Sequence, residues 1–176
     1  LGGVSGKITS APAKHLSTLC NQMVNFLGIM QNEWAGAQAF SSFDTYLAPF
    51  IRMDQLGEDR IRESLSSLID VLNLPTREGV ECPQSYFMFD WNVPQKVKNE
   101  KVFLGDYQDF TYGDCEKEQE QINQFFETLR RIEIEYKSNS IIFPERAVLL
   151  ICANREQLIE LMLQSDLLAE FRAGQE

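Results

Sequence analysis

Gln31-Asn32-Glu33-Trp34-Ala35-Gly36-Ala37-Gln38-Ala39-Phe40-Ser41-Ser42-Phe43-Asp44-Thr45-Tyr46-Leu47-Ala48-Pro49-Phe50 is the stretch on which the reading of this chain turns. Two small-residue breaks, Ala35-Gly36-Ala37 and Ser41-Ser42, separate two apolar helical patterns. Amides, one acid and several aromatic rings crowd the joint between them. Small residues let a backbone approach a ligand or another helix closely. Amides read donors and acceptors without adding net charge. The plainer reading is a tight helix–turn–helix corner that only packs.

Upstream, residues 1–8 are glycine-rich and read as a loop, with Ser10 as an N-cap and Pro12 in the first turn. Leu16, Leu19, Met23, Phe26, Leu27, Met30 and Trp34 then recur at three- and four-residue steps, which predicts an amphipathic helix over 11–34. Cys20 lies beside that stripe and reads as a small core residue. His15 has no Cys or Asp close by in sequence to act with, and reads as structural.

Downstream, Ser42 opens a helix over 42–53 that carries Phe43, Tyr46, Leu47, Phe50 and Ile51 on one face. Pro49 is expected to bend or restart it. Ile61, Leu65, Leu68, Ile69 and Leu72 define a third helix over 58–72, with Glu58 and Asp59 at its positive end and Asn73-Leu74-Pro75 as its stop. The period then shortens. Phe87, Phe89, Trp91 and Val93 alternate with Tyr86, Met88, Asp90 and Asn92, a strand near 86–92. The polar loop 74–85 leads into it. Lys96–Lys101 reads as a basic connector, and Gly105–Gly113 as a turn-rich segment.

Asp114 caps a helix over 114–133, whose stripe is Ile122, Phe125, Phe126, Leu129 and Ile132. Asp106, Asp109, Asp114 and Glu116 read as hydrated turn and cap residues rather than a metal site. Ala147–Cys152 is a continuous apolar run, a buried strand near 147–152, and a capping box at Asn154 opens a helix over 155–172. The fold class is therefore helix-rich α/β.

The 176 residues suit one domain, and 44% hydrophobic with 24% charged is a globular composition. A net charge of -10 argues against a DNA or RNA backbone binder, which needs clustered Lys and Arg. No run approaches the ~20 apolar residues of a membrane span. Cys20, Cys82, Cys115 and Cys152 form no Cys-x-x-Cys pair and His15 is the single histidine, so a zinc site is not expected. Reduced cysteines in the cytoplasm are the default. The start, Leu1-Gly2-Gly3, carries no Met and no signal pattern, the look of a piece cut from something longer.

Leu16–Gly28, then Asn32–Arg52, and more weakly Asp90-Trp91-Asn92-Val93-Pro94 and Asp109–Cys115 to about residue 126, resemble the anaerobic (class III) ribonucleotide reductases. The resemblance implies a fragment of a glycyl-radical-enzyme α/β barrel. Residues 1–126 would be the reductase-like segment, and 127–176 a divergent strand–helix tail. It implies nucleoside triphosphates as ligands, a homodimer, and a radical-generating iron–sulfur activase as partner. The family's glycyl radical, formate and structural zinc all belong outside this segment. The chain has no Arg-Val-Cys-Gly-Tyr-like motif and no paired-cysteine finger loop, so catalysis by this chain alone is not expected.

The family's first substrate-side loop resembles Asn-Thr-Pro-Ser-Arg-Trp-Gly. Here Asn73, Pro75, Arg77 and Gly79 match and Thr76 replaces the serine, while Leu74 and Glu78 depart from the pattern. The resemblance thus nominates Asn73, Thr76, Arg77 and Gly79 as substrate-binding residues, Arg77 by bidentate contact with phosphate oxygens. It nominates Gln38, Ser42 and Asp44 as effector or interface residues. The alternative is a non-catalytic α/β module that binds nucleotides or dimerises through the same helices.

Overall fold

The computed structural model describes residues 11–33, 37–74, 84–131, 138–142 and 146–151, with side chains as far as residue 126. Helix α1 spans Leu16–Glu33, α2 spans Phe43–Asp54, α3 spans Glu58–Leu72 and α4 spans Glu116–Arg131. The strands are β1 (Gln38–Phe40), β2 (Ser85–Asp90), β3 (Lys101–Phe103), β4 (Tyr107–Thr111), β5 (Ser138–Ile142) and β6 (Arg146–Ile151). Four of them form one sheet in the order β1-β2-β6-β5, and β3 and β4 form a separate antiparallel pair. The α2–α3 hairpin crosses from β1 to the parallel β2, while β6 runs antiparallel to β2, and β5 to β6. The result is a helix-rich α/β arrangement, with no closed barrel among the described residues. Among those residues, too, no helix is long and apolar enough to cross a membrane.

Helix α1 starts at Leu16 rather than at residue 11, because its cap comes from elsewhere. The Asp54 carboxylate, at the end of α2, accepts from the Leu16 backbone N–H at 3.2 Å and meets His15 Nδ1 at 2.6 Å. Pro12 precedes the helix, and Ser10 and Trp34 lie outside the described residues. Helix α2 opens at Ser42 as expected, but not by side-chain capping. Ser42 sits in the left-handed region (φ 51°, ψ 41°), and its hydroxyl makes no cap bond. Pro49 does not divide α2, which runs unbroken through it. The residues from Phe43 to Ile51 are almost all buried against neighbouring elements, and that packing outweighs one lost backbone bond. Helix α3 has the expected bounds.

Several expectations need correction. The strand near 86–92 is Ser85–Asp90, because the chain turns away at Trp91-Asn92 ahead of Pro94. The strand near 147–152 is Arg146–Ile151. The helix over 114–133 begins as a 3-10 turn, Tyr112–Cys115, before α4. Asp114 is not its N-cap. Its carboxylate reaches back to accept from the backbone N–H and the hydroxyl of Thr111 (2.8 and 2.9 Å), which holds the carboxyl below its ordinary range. The β3–β4 hairpin runs from the end of the basic connector into the turn-rich segment, and neither it nor β1 and β5 was foreseen. The helix expected over 155–172 lies outside the described residues.

Aromatic rings form the centre of the core. Phe87 of β2 stacks on Phe40 of β1 (5.5 Å between centroids) and meets Phe43 of α2 edge-on at 4.6 Å. Phe89 meets Phe43 at 5.3 Å and Phe126 of α4 at 4.6 Å, and Trp91 continues the row to Phe126 at 5.9 Å. Such pairs contribute about 0.5–1.5 kcal/mol each beyond the area they bury. The row fixes β2 against α2 and α4, and so fixes the polar groups at its end.

Candidate functional site

Where α2, the end of β2 and α4 meet, the core turns polar. Asp44, Thr45, Asp90, Gln119 and Asn123 are all buried there, Asp44 to 0% exposure. Their elements explain the meeting. Asp44 and Thr45 sit in the first turn of α2, on the buried side beside Phe43. Asp90 ends β2 in register opposite Arg146 of β6. Gln119 and Asn123 are four residues apart on α4 and belong to the buried stripe Cys115, Ile122 and Phe126.

The contacts are specific. Asp44 Oδ1 accepts from the Asp90 backbone N–H at 2.8 Å, and Oδ2 accepts from Gln119 Nε2 at 2.9 Å. The same Gln119 nitrogen lies 3.1 Å from Thr45 Oγ1 and 2.7 Å from the Asp90 carbonyl oxygen. Asn123 Nδ2 donates to that carbonyl as well, at 3.3 Å. Burial pushes the Asp44 carboxyl from an ordinary 3.8 up to about 6, and the nearby Asp90 charge adds to the rise. The bonds from Asp90 N–H and Gln119 oppose it. Among the described residues, Asp90 Oδ2 and Asn123 Oδ1 accept from nothing.

The nominated residues are therefore distributed unevenly. Asp44 is in the polar cluster, faced inward and away from solvent. Ser42 is half-buried just ahead of it, and Gln38 is half-buried in β1, its backbone N–H bonded to the Gln84 carbonyl at 3.1 Å. Asn73 ends α3, and its Nδ2 donates to the Ile69 carbonyl at 2.9 Å. Thr76, Arg77 and Gly79 lie outside the described residues. Gln119, Asn123, Thr45 and Asp90 were missed. The available signal was two amides at i, i+4 inside an otherwise apolar helix stripe.

A second feature is an open cleft of about 380 Å³ between α1 and α3, lined by Ser17, Asn21, Asp54, Arg60, Glu63 and Ser64 among others. None of the nominated residues lines it. Its one guanidinium is already held by Glu63 at 2.8 Å, and Asp54 adds a second carboxylate. That charge balance disfavours a triphosphate. The described cysteines are unreactive by the same physics: burial pushes Cys20 up to about 11 and Cys115 up to about 12.

Among solved structures, the anaerobic ribonucleotide reductase from Thermotoga maritima with citrate in the active site is similar with a TM-score of 0.58. It is 22% identical, over 73% of this chain and 24% of that one. The same organism's enzyme in complex with dATP and CTP gives 0.54 at 22% identity, over 73% and 23%. Its form with dATP bound in the specificity site gives 0.52 at 22%, over 73% and 24%. These likenesses show a shared fold, and this chain spans about a quarter of the length of those it matches. No curated protein matches the chain. The family described as anaerobic ribonucleoside-triphosphate reductase matches residues 2–157, so the match runs past residue 126 and takes in β5 and β6. The chain belongs to the anaerobic ribonucleoside-triphosphate reductase family.

Proposed function

We propose that this chain is the part of an anaerobic ribonucleoside-triphosphate reductase that presents the first barrel strand and a nucleotide-binding loop ahead of it. The observation that carries the reading is the placement of β2. It lies within the family match, it pairs with β1 on one side and β6 on the other, and residues 75–83 come just ahead of it in the chain. Asn73 at the end of α3 and Ser85 at the start of β2 mark the described elements on either side of them. Among the described residues β1 and β5 are the sheet's edges, and further strands of a barrel would add there. Ribonucleotide reduction is proposed for the longer protein such a chain serves, not for these residues alone. The family's radical-glycine motif and paired-cysteine finger loop have no match in this sequence.

Nucleotide binding by this chain would depend on Arg77, the only cation among Pro75–Ser85. One desolvated Arg–phosphate contact contributes ~1.5–3 kcal/mol, about one to two decades of affinity. Thermal-shift titrations with ATP, CTP and dATP are expected to stabilise the parent and to shift Arg77→Ala far less. Glu78→Trp, which removes the neighbouring carboxylate, is expected to shift more. Equal shifts for the parent and Arg77→Ala would reject the loop as the binding site.

The dimer expected from the family is proposed on separate grounds. Ile29 of α1 and Tyr46 and Met53 of α2 are exposed apolar side chains on the helices either side of Gln38, Ser42 and Asp44, the residues nominated for the interface. Light scattering at tens of micromolar protein is then expected to give twice the monomer mass, and a monomer throughout would overturn this. The reading places the chain in the cytoplasm, where an activase could reach the enzyme it serves.

A further inference from the structure

The polar cluster holds more acceptors than donors. The Gln119 amide nitrogen has two hydrogens for three oxygens: Asp44 Oδ2, Thr45 Oγ1 and the Asp90 carbonyl. The Asp90 backbone N–H serves Asp44 Oδ1, and one Asn123 hydrogen serves the Asp90 carbonyl. Among the described residues, Asp90 Oδ2 and Asn123 Oδ1 have no donor, on side chains of residues each only 7% exposed. Buried acceptors left bare destabilise a fold, and two carboxylates in one buried site repel each other.

Among the side chains the structure describes, the charged and titratable groups around the cluster do not relieve this. On α2, Arg52 lies at the far end of the helix, donating to the Asp114 carbonyl, 3.8 Å from Glu118 and over the Phe110 ring. Tyr46, also on α2, packs against Tyr112. On α4, Glu118 is a further acid whose Oε2 has no hydrogen bond, and Glu116 pairs with Lys98. In the 3-10 turn, Cys115 is buried and bonded to the Thr111 carbonyl, and Asp114 is taken up by Thr111. From β6, Arg146 is the register partner of Asp90.

We propose that this cluster is a one-proton latch: a proton taken from solvent by the Asp44–Asp90 pair clamps α4 onto the end of β2, and its release loosens that contact. The O–H created is the donor the site lacks, and it removes one of two like charges. Burial sets the working range, since the Asp44 carboxyl is pushed up to about 6. The folded state holds this proton more tightly than the unfolded chain does. The stability it contributes is therefore complete below the ordinary carboxyl value of 3.8, and is lost as pH rises through about 6.

Trp91 reports on the latch because it follows Asp90 and packs on Phe126 of α4. With Trp34→Phe to leave a single tryptophan, emission is followed from pH 4.5 to 8.5, with far-UV circular dichroism to confirm folding. The parent is expected to show a one-proton transition with its midpoint near 6. Asp44→Asn should abolish it. Asp90→Asn should move it to lower pH by removing the repelling charge. His15→Gln, which removes the one histidine, should leave it in place. If Asp44→Asn does not fold, the Asp90→Asn and His15→Gln midpoints decide. The proposal is overturned by a flat parent profile, by a transition that survives in folded Asp44→Asn, by an unmoved midpoint in Asp90→Asn, or by loss of the transition in His15→Gln.

Discussion

Phe87→Ala is expected to remove ~3–5 kcal/mol of stability, a large share of the ~5–15 kcal/mol that holds a domain together. Phe87 is 1% exposed in the middle of β2 and touches rings from β1 and α2. Truncation loses the buried area and two ring contacts, and leaves a cavity that the paired strands on either side cannot close. The damage should also reach Phe89 and Phe126, because Phe43 contacts both Phe87 and Phe89. Tyr107→Ala is the matched control. Tyr107 is 74% exposed on the β4 hairpin, and its loss should stay within about 0.5 kcal/mol. Urea denaturation of both variants checks this. A Phe87→Ala loss below ~1 kcal/mol would mean that the rings around β2 are not packed as described.

How much of this was legible in the sequence depended on distance along the chain. Helix α3 was read to its ends because Ile61, Leu65, Leu68, Ile69 and Leu72 mark an uninterrupted stripe and local acids mark its start. Helix α1 was misread at its start because the cap, Asp54, lies 38 residues from the Leu16 N–H it receives. Strands β1 and β3 have three residues each, too few to show a period of two. Their pairing partners, not their own composition, make them strands. Asp44 was singled out as unusual, but what makes it so is a set of partners 46 and 75 positions away. The family resemblance directed attention to Arg77 and its neighbours, and the buried amides of α4 carried no motif to compete with it.

The largest polar effect is expected at Gln119. Gln119→Leu keeps most of the side-chain volume, so its effect isolates the hydrogen bonds from any cavity. It leaves Asp44 Oδ2 and Thr45 Oγ1 without their donor, while the Asp90 carbonyl keeps Asn123. An orphaned buried acceptor costs about 1–3 kcal/mol and a charged one more, which sets the expected loss at ~2–4 kcal/mol at pH 8. The size must depend on pH. The Gln119 bond stabilises the charged form of Asp44, so its removal raises that carboxyl above its present value of about 6. At pH 5 the carboxyl is already largely protonated in the folded state, and the variant forfeits less. Urea denaturation at pH 5 and pH 8 should therefore show the smaller penalty at the acid value. Gln119→Glu sharpens the contrast, since it adds a third acid to the site and should be the least stable variant at pH 8 and recover most on acidification. Equal penalties at both pH values would show that Gln119 holds α4 in place by packing alone, and that the Asp44 charge has no part in it.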